Sequence, residues 1–356
     1  MITLEILSCG PSTTIQDAGR LGFSRIGLPS AGAMDHRALR IANALVGNSP
    51  GEAAVELAFA GLVMRANGGA VQLAMAGARA EIECESRSIQ MYRSFLLNDG
   101  ETLRIGPMTD GVYAILAIAG GIAVPPVLGS RSLDARAGIG GLNGRPLRNG
   151  DRIPVHVHAA TSVSTRWSDA VSLDLHTPIR IVLGPQDHLF TERGLQTLIG
   201  RTFSVSHSIN RMAYRLDGPV IERQPDVELI SDGTLPGSIQ VPPDGYPIVL
   251  MADRQTVGGY PKIATVIGAD LAKLAQRRPG EDVVFALVSA QEAREIARQL
   301  AMSELNIRVA DNPEGLRLFD PELFNLDCMT NIADAVVDAR DYTTWDATTA
   351  SNKRSQ

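Results

Sequence analysis

The chain has 356 residues, of which 44% are hydrophobic, 20% charged and 4% aromatic. That is more than one core of roughly 100–200 residues holds, and it excludes a largely disordered chain or a disulfide-stapled miniprotein. A net charge of −6, only three lysines (Lys262, Lys273 and Lys353) among 33 basic residues, and no basic run speak against a nucleic-acid surface.

The opening Met1-Ile2-Thr3-Leu4-Glu5 lacks the basic start of a signal peptide. The longest apolar runs, such as 113–124, fall short of the roughly 18–20 residues of a membrane helix, so a cytoplasmic chain without membrane contact is expected. Cys9, Cys84 and Cys328 are widely spaced and odd in number, which points to reduced thiols rather than a disulfide frame or a Cys-x-x-Cys metal site.

Along the chain, residues 35–46 place Leu39, Ala42 and Val46 on one face of a helix, with Asp35 to cap its start and Gly47 to end it. Short alternating runs then predict strands at Val71–Met75, Glu81–Cys84, Thr102–Ile105 and Ile153–Val157. His156 and His158 alternate on the last of these, but no third ligand lies nearby, so no metal is expected. The Ser/Thr-rich stretch 158–178 has no strong period and marks a domain boundary. Beyond it, Ile179–Leu183 predicts a strand, and residues 187–198, 269–276 and 290–301 predict helices. The last helix opens on a Ser289-x-x-Glu292 capping box.

Two short echoes relate the halves: GPMTD at 106–110 to GPQD at 184–187, and GGIAVPPV at 120–127 to GSIQVPPD at 237–244. The expected organisation is mainly β, with similar domains at 1–160 and 175–310 and a polar tail at 311–356. No G-x-S-x-G elbow, P-loop or H-E-x-x-H motif occurs, and the paired glycines lack dinucleotide-fingerprint spacing.

Several clusters carry more Gly, Asp, Arg and Asn than turns require. In order they are TTIQDAGRLG at 13–22, PSAGAMDH at 29–36, IANALVGN at 41–48, VLGSRS at 127–132, GGLNGRPLRNGD at 140–151, INRMAYRL at 209–216, GSIQVP at 237–242 and DRQTVGGYPKIATV at 253–266. Together they closely resemble the allophanate hydrolase subunit 2 family of biotin-dependent carboxyltransferase type, from about residue 3 to about residue 290. That family includes the C component of 5-oxoprolinase, the carboxyltransferase domain of urea carboxylase and the KipI antagonist. Where its members commonly read GSRST and TTGGYP, this chain has Leu133 and Val257.

The resemblance implies two tandem cyclophilin-like β-barrel domains and a subunit active only with partners. One chemistry is ATP-dependent ring opening of 5-oxoproline, with an allophanate hydrolase subunit 1 or KipI-type partner and a LamB/YcsF-type subunit. The other is carboxyl transfer to an amide, with a biotin carboxylase and with carboxybiotin carried on another chain. The alternative is a non-catalytic regulatory protein that antagonises a KipI-type partner.

Either chemistry develops negative charge on a carbonyl or carboxylate, which calls for fixed donors rather than a strong nucleophile. The site is therefore expected in the loops at 127–132, 209–216 and 253–262. Arg254, Asp253, Lys262 and Tyr260 are the catalytic candidates, and Ser130, Arg131, Asn210, Arg211 and Gln240 the substrate-binding ones. Asp253 is expected to orient Arg254 or to accept a substrate N–H, and Tyr260 and Lys262 to project from the Gly-Gly turn. The competing reading for Asp17 and Arg20 is an ion pair that fixes the first loop, and for His36 a surface position in the first turn of its helix.

Overall fold

The computed structural model describes residues 1–156, 177–225 and 229–305. Most of the expected boundary at 158–178, including His158, and the tail at 311–356 with Cys328 lie outside them.

The first half is built from two antiparallel sheets. One has six strands in the order Arg152–Pro154, Thr3–Cys9, Leu62–Asn67, Thr102–Ile105, Ile82–Cys84 and Arg87–Ile89. The other has five, in the order Thr14–Gln16, Ala54–Ala58, Asp110–Ile118, Val71–Arg79 and Ser94–Leu97. Leu4, Ile6, Met64, Leu73, Met75 and Leu116 fill the core between them. Each such fully buried side chain contributes roughly 1.5–3 kcal/mol.

The helix expected at 35–46 forms as α1, His36–Leu45, with the Asp35 carboxylate accepting the Ala38 N–H at 2.8 Å. It covers the outer face of the five-stranded sheet, which explains the long apolar run near residue 113. In strand Asp110–Ile118, Ala114, Leu116 and Ile118 join the inter-sheet core, while Ile115 and Ala117 pack with Leu39, Ala42 and Leu45 of α1. A strand covered on both faces has no polar side to show.

In the second half seven strands close into a barrel. Its order is Ile179–Leu183, Lys262–Val266, Ser238–Gln240, Ile248–Leu250, Ala213–Asp217, Thr202–Ile209 and Asp282–Leu287. The last strand closes the ring by pairing parallel with the first, and the other pairs are antiparallel. Ile181, Val205, Leu216, Ile239, Ile263 and the tilted pair Phe203–Phe285 fill the interior.

The remaining helices are α2 (Glu192–Gly200), capped by Thr191, α3 (Gly268–Ala275) and α4 (Ala290–Leu305). The capping box at the start of α4 is present in both directions: Glu292 N–H donates to Ser289 Oγ, and Ser289 N–H donates to the Glu292 carboxylate. None of the helices in the described residues is long and apolar enough to cross a membrane.

Among the described residues no strand ladder joins the two halves, yet they share a core. Met34, Ala58, Val112 and Tyr113 of the first half pack into the barrel's apolar cluster. Strand Asp110–Ile118 shifts register against its neighbour between Asp110 and Ala114. The irregularity turns the N–H groups of Val112 and Tyr113 toward the fully buried Gln276 just beyond α3, whose Oε1 accepts both at 2.8 and 3.0 Å. Gln276 Nε2 then donates to Asp35 and to the Tyr113 carbonyl. Gly111, at φ +78°, is required here, since a Cβ would lie 2.7 Å from Gln276 Oε1.

Candidate functional site

Loops from the two halves meet around a cavity of about 320 Å³. Gly27, Leu28, Pro29, Asp134, Arg136 and Ala137 line it from the first half, and Arg254, Gln255, Thr256 and Val257 from the barrel. Of the three loops expected to line the pocket, 253–262 contributes residues 254–257 to this cavity, 209–216 contributes none, and the first-half wall comes from 27–29 and 134–137 rather than from 127–132.

Arg254 is 3% exposed and touches both halves, with Nε donating to the Thr234 carbonyl and Nη1 to Ser30 Oγ, each at 3.3 Å. No carboxylate lies within ion-pair distance of it among the described residues. Burial pushes its guanidinium down to about 10, against the attraction of Asp253.

The expected alliance of Asp253 with Arg254 does not form. Asp253 instead binds Arg211 bidentately, with both contacts at 2.8 Å. Arg211 spans the junction: Nη1 donates to Glu56 and Nη2 to the Gly32 carbonyl at 2.6 Å. Burial opposes the charge of Arg211, but Glu56 and Asp253 outweigh it and raise the guanidinium above its ordinary value. Glu56 is fully buried and also accepts the Met34 N–H at 2.7 Å; burial raises its carboxyl, against the pull of Arg211. With two carboxylates and a carbonyl already on its donors, Arg211 is a clamp between the halves rather than a substrate ligand.

The 127–132 loop is organised by Asp17. Its carboxylate accepts from the Gly19 N–H, Ser130 Oγ, Ser132 Oγ and the Arg131 N–H at 2.5–2.8 Å. Ser130 is therefore buried as a loop fastener. The Arg131 side chain turns away to the Val124 carbonyl at 2.7 Å and to Glu52 at 3.2 Å. Asp17 and Arg20 do not pair: Arg20, 1% exposed, donates to the carbonyls of Val127, Ser130 and Ser132, and its Nη1 has no partner.

Three further candidates are also committed to the fold. Lys262 does not project from the Gly-Gly turn; it lies buried on a barrel strand with Nζ on Asp232 at 2.7 Å and on the Gly233 carbonyl at 2.8 Å. The partner is the Asp232–Gly233 strand, which lies outside the barrel ladder and covers this side chain. Asn210 folds back on the N–H groups of Met212 and Ala213 as a turn cap. Gln240 is buried and braces the site loop through Gln255 and the Tyr260 carbonyl, at 3.3 and 3.4 Å. Tyr260 is exposed, at 45%, as is Asn210.

His36 is half-buried at the start of α1 rather than on the surface. Burial, then Arg40 and Arg211, lower its imidazole to about 4, so it is neutral near pH 7. Glu56, Gln276 and the 134–137 wall are the residues sequence reasoning missed. Glu56 left a signal: a lone carboxylate inside the apolar run Ala53-Ala54-Val55-Glu56-Leu57-Ala58. Among the described residues no group of three metal ligands assembles. A buried guanidinium at a cavity wall suits the holding of a carboxylate or a developing oxyanion.

A model of the carboxyltransferase domain, subdomain A and B, matches residues 26–287 of the chain. The chain is 40% identical to the C component of 5-oxoprolinase from Escherichia coli K12 over 290 residues, which is 82% of this chain and 93% of the relative. Two solved structures share the fold. TTHA0988 superposes with a TM-score of 0.73 at 35% identity, over 80% of this chain and 55% of that one. The Kluyveromyces lactis urea carboxylase superposes with a TM-score of 0.79 at 28% identity, over 87% of this chain and 29% of that one.

Proposed function

Because the chain belongs to the carboxyltransferase subdomain A and B family, we propose that it is one subunit of an ATP-dependent complex that processes an amide or lactam, with ring opening of 5-oxoproline as its reaction. The observation that carries this reading is likeness across 93% of the length of a 5-oxoprolinase component. The chain spans about half of TTHA0988 and under a third of the urea carboxylase, so carboxyl transfer to an amide, with carboxybiotin borne on another chain, is the second reading.

The site chemistry favours a supporting role for this subunit. Its cavity presents two guanidinium groups, hydroxyl and amide groups and Asp134, whose carboxylate already accepts the N–H groups of Arg136 and Ala137, with neither Cys84 nor Cys9 in its wall. Such a set binds and stabilises negative charge rather than attacking a carbonyl. ATP is assigned to the partner subunits, of allophanate hydrolase subunit 1 or KipI type and LamB/YcsF type, because Lys262 is tied down by Asp232 and the Gly258-Gly259 turn leads into a strand rather than a helix. The complex is assigned to the cytoplasm.

The test is ATP hydrolysis by the chain mixed with these partners, with and without 5-oxoproline. Stimulation by 5-oxoproline is expected, together with negligible turnover by the chain alone. Full activity without partners, or stimulation only by an amide acceptor and a biotin carrier, would replace the lactam reading.

A further inference from the structure

We propose that Arg254 anchors a binding site for one small carboxylate with an apolar body, in the cavity between the two halves. The proposal rests on the reading above only for its choice of probe; the site itself is argued from the side chains.

Three partly buried arginines have their charge matched by carboxylates. Arg211 holds Asp253 and Glu56, Arg145 holds Asp151, and Arg180 holds Asp270, the last two bidentately. Arg20, which lines no part of the cavity, donates to three carbonyls through Nε and Nη2 and leaves Nη1 without a partner. Arg254 is 3% exposed, less than the side chains of Arg211, Arg145 and Arg180 at 13%, 25% and 33%, yet it has no carboxylate partner among the described residues, and its two hydrogen bonds are long at 3.3 Å. A buried guanidinium has five donors and a large desolvation cost, so leaving it without a counter-ion is expensive unless a ligand supplies one.

The cavity beside it has room and charge for that ligand. About 320 Å³ lies near the lower end of the roughly 300–1,000 Å³ typical of small-molecule sites. The lining carries two arginines, Arg254 and Arg136, and one aspartate. That aspartate, Asp134, already accepts the N–H groups of Arg136 and Ala137 at 3.1 Å. One positive charge is thus left over for one anion. Leu28, Pro29, Ala137 and Val257 add an apolar part to the wall beside the polar Gln255 and Thr256, which suits a compact ring or a short aliphatic chain. Burial also weakens the grip of Arg254 on its own proton, the signature of a cation in want of a partner.

The test is isothermal titration of the full chain in chloride-free buffer with three probes. These are 5-oxoproline, cyclopentanecarboxylate, which keeps the carboxylate and drops the amide, and 2-pyrrolidinone, which does the reverse. Saturable binding of the two carboxylates is expected, with 2-pyrrolidinone weaker by roughly tenfold or more, as loss of a charged hydrogen-bonded pair implies. Arg254→Met is expected to lose binding of both carboxylates by a similar factor. Val257→Trp, at a lining position 53% exposed, is expected to keep the fold, checked by an unchanged melting transition, and to fill the cavity, so it tests the site even if Arg254→Met fails to fold.

Undiminished carboxylate binding in either variant, or no saturable heat from the wild-type chain up to about 10 mM, overturns the proposal. The two readings fail separately. Arg254-dependent binding without 5-oxoproline-stimulated ATP hydrolysis leaves the site standing and removes the reaction. Stimulated hydrolysis with binding untouched by the variants does the opposite.

Discussion

Three loop arginines of similar local sequence meet different fates. Arg211 is consumed by Glu56 and Asp253, Arg131 by Glu52 and a carbonyl, and only Arg254 reaches a cavity with its charge unmatched. Lys262 stands out in the sequence as one of three lysines, but it is spent on an ion pair with the exposed Asp232. His36 shows the same dependence on surroundings and yields a pH prediction. Its folded-state value of about 4 lies below the 6.5 of a free imidazole. The unfolded chain therefore binds the extra proton between those values, and stability rises with pH across that window. This contribution is complete above pH 6.5 and is lost as the pH falls toward 4. It amounts to about 2–3 kcal/mol by pH 4.5. Urea denaturation at pH 7 and pH 4.5 should show His36→Gln losing less stability on acidification than the wild-type chain. Equal losses in the two proteins would show that His36 is solvated.

At the scale of elements, start and stop signals proved local and therefore legible. Asp35 caps α1 and the Ser289–Glu292 box opens α4, because a cap needs only neighbours three residues away, whereas the helix expected from 187 begins only at Glu192, behind a Thr191 cap that the sequence reading missed. The strand through Tyr113 illustrates the limit. Its apolar run announced burial on both faces, but not that a register shift would aim two N–H groups at Gln276, more than 160 residues later. Gln276→Ala leaves those two donors and part of Asp35 without partners. Unsatisfied buried groups cost about 1–3 kcal/mol each, so a loss of roughly 2–4 kcal/mol is expected in urea denaturation. A loss below about 0.5 kcal/mol, the level of an ordinary surface change, would mean that water replaces the side chain.

The whole molecule is two β units fastened by a shared core and a buried ion cluster. Met34, Ala58, Val112 and Tyr113 complete the barrel's apolar cluster, and Arg211 reaches across to Glu56 and Gly32. Halves joined in this way should melt together, in one calorimetric transition. Arg211→Met strands two buried carboxylates and should cost about 3–5 kcal/mol while lowering that cooperativity. Two separate transitions in the wild-type chain would show that the junction is weak.

Sequence alone determined what depends on short range. Alternation, Gly and Pro punctuation and caps gave the mainly β character and the helices, and the ordered loop motifs gave the family, since each is written within a few consecutive residues. Tertiary structure alone decided which charged side chains are spent on the fold and which face the cavity. Glu56 and Arg211 lie 155 residues apart, and Ser30 and Arg254 lie 224 apart. Whether a guanidinium finds a carboxylate depends on such long-range packing, because desolvation and charge pairing are set by neighbours in space rather than in sequence.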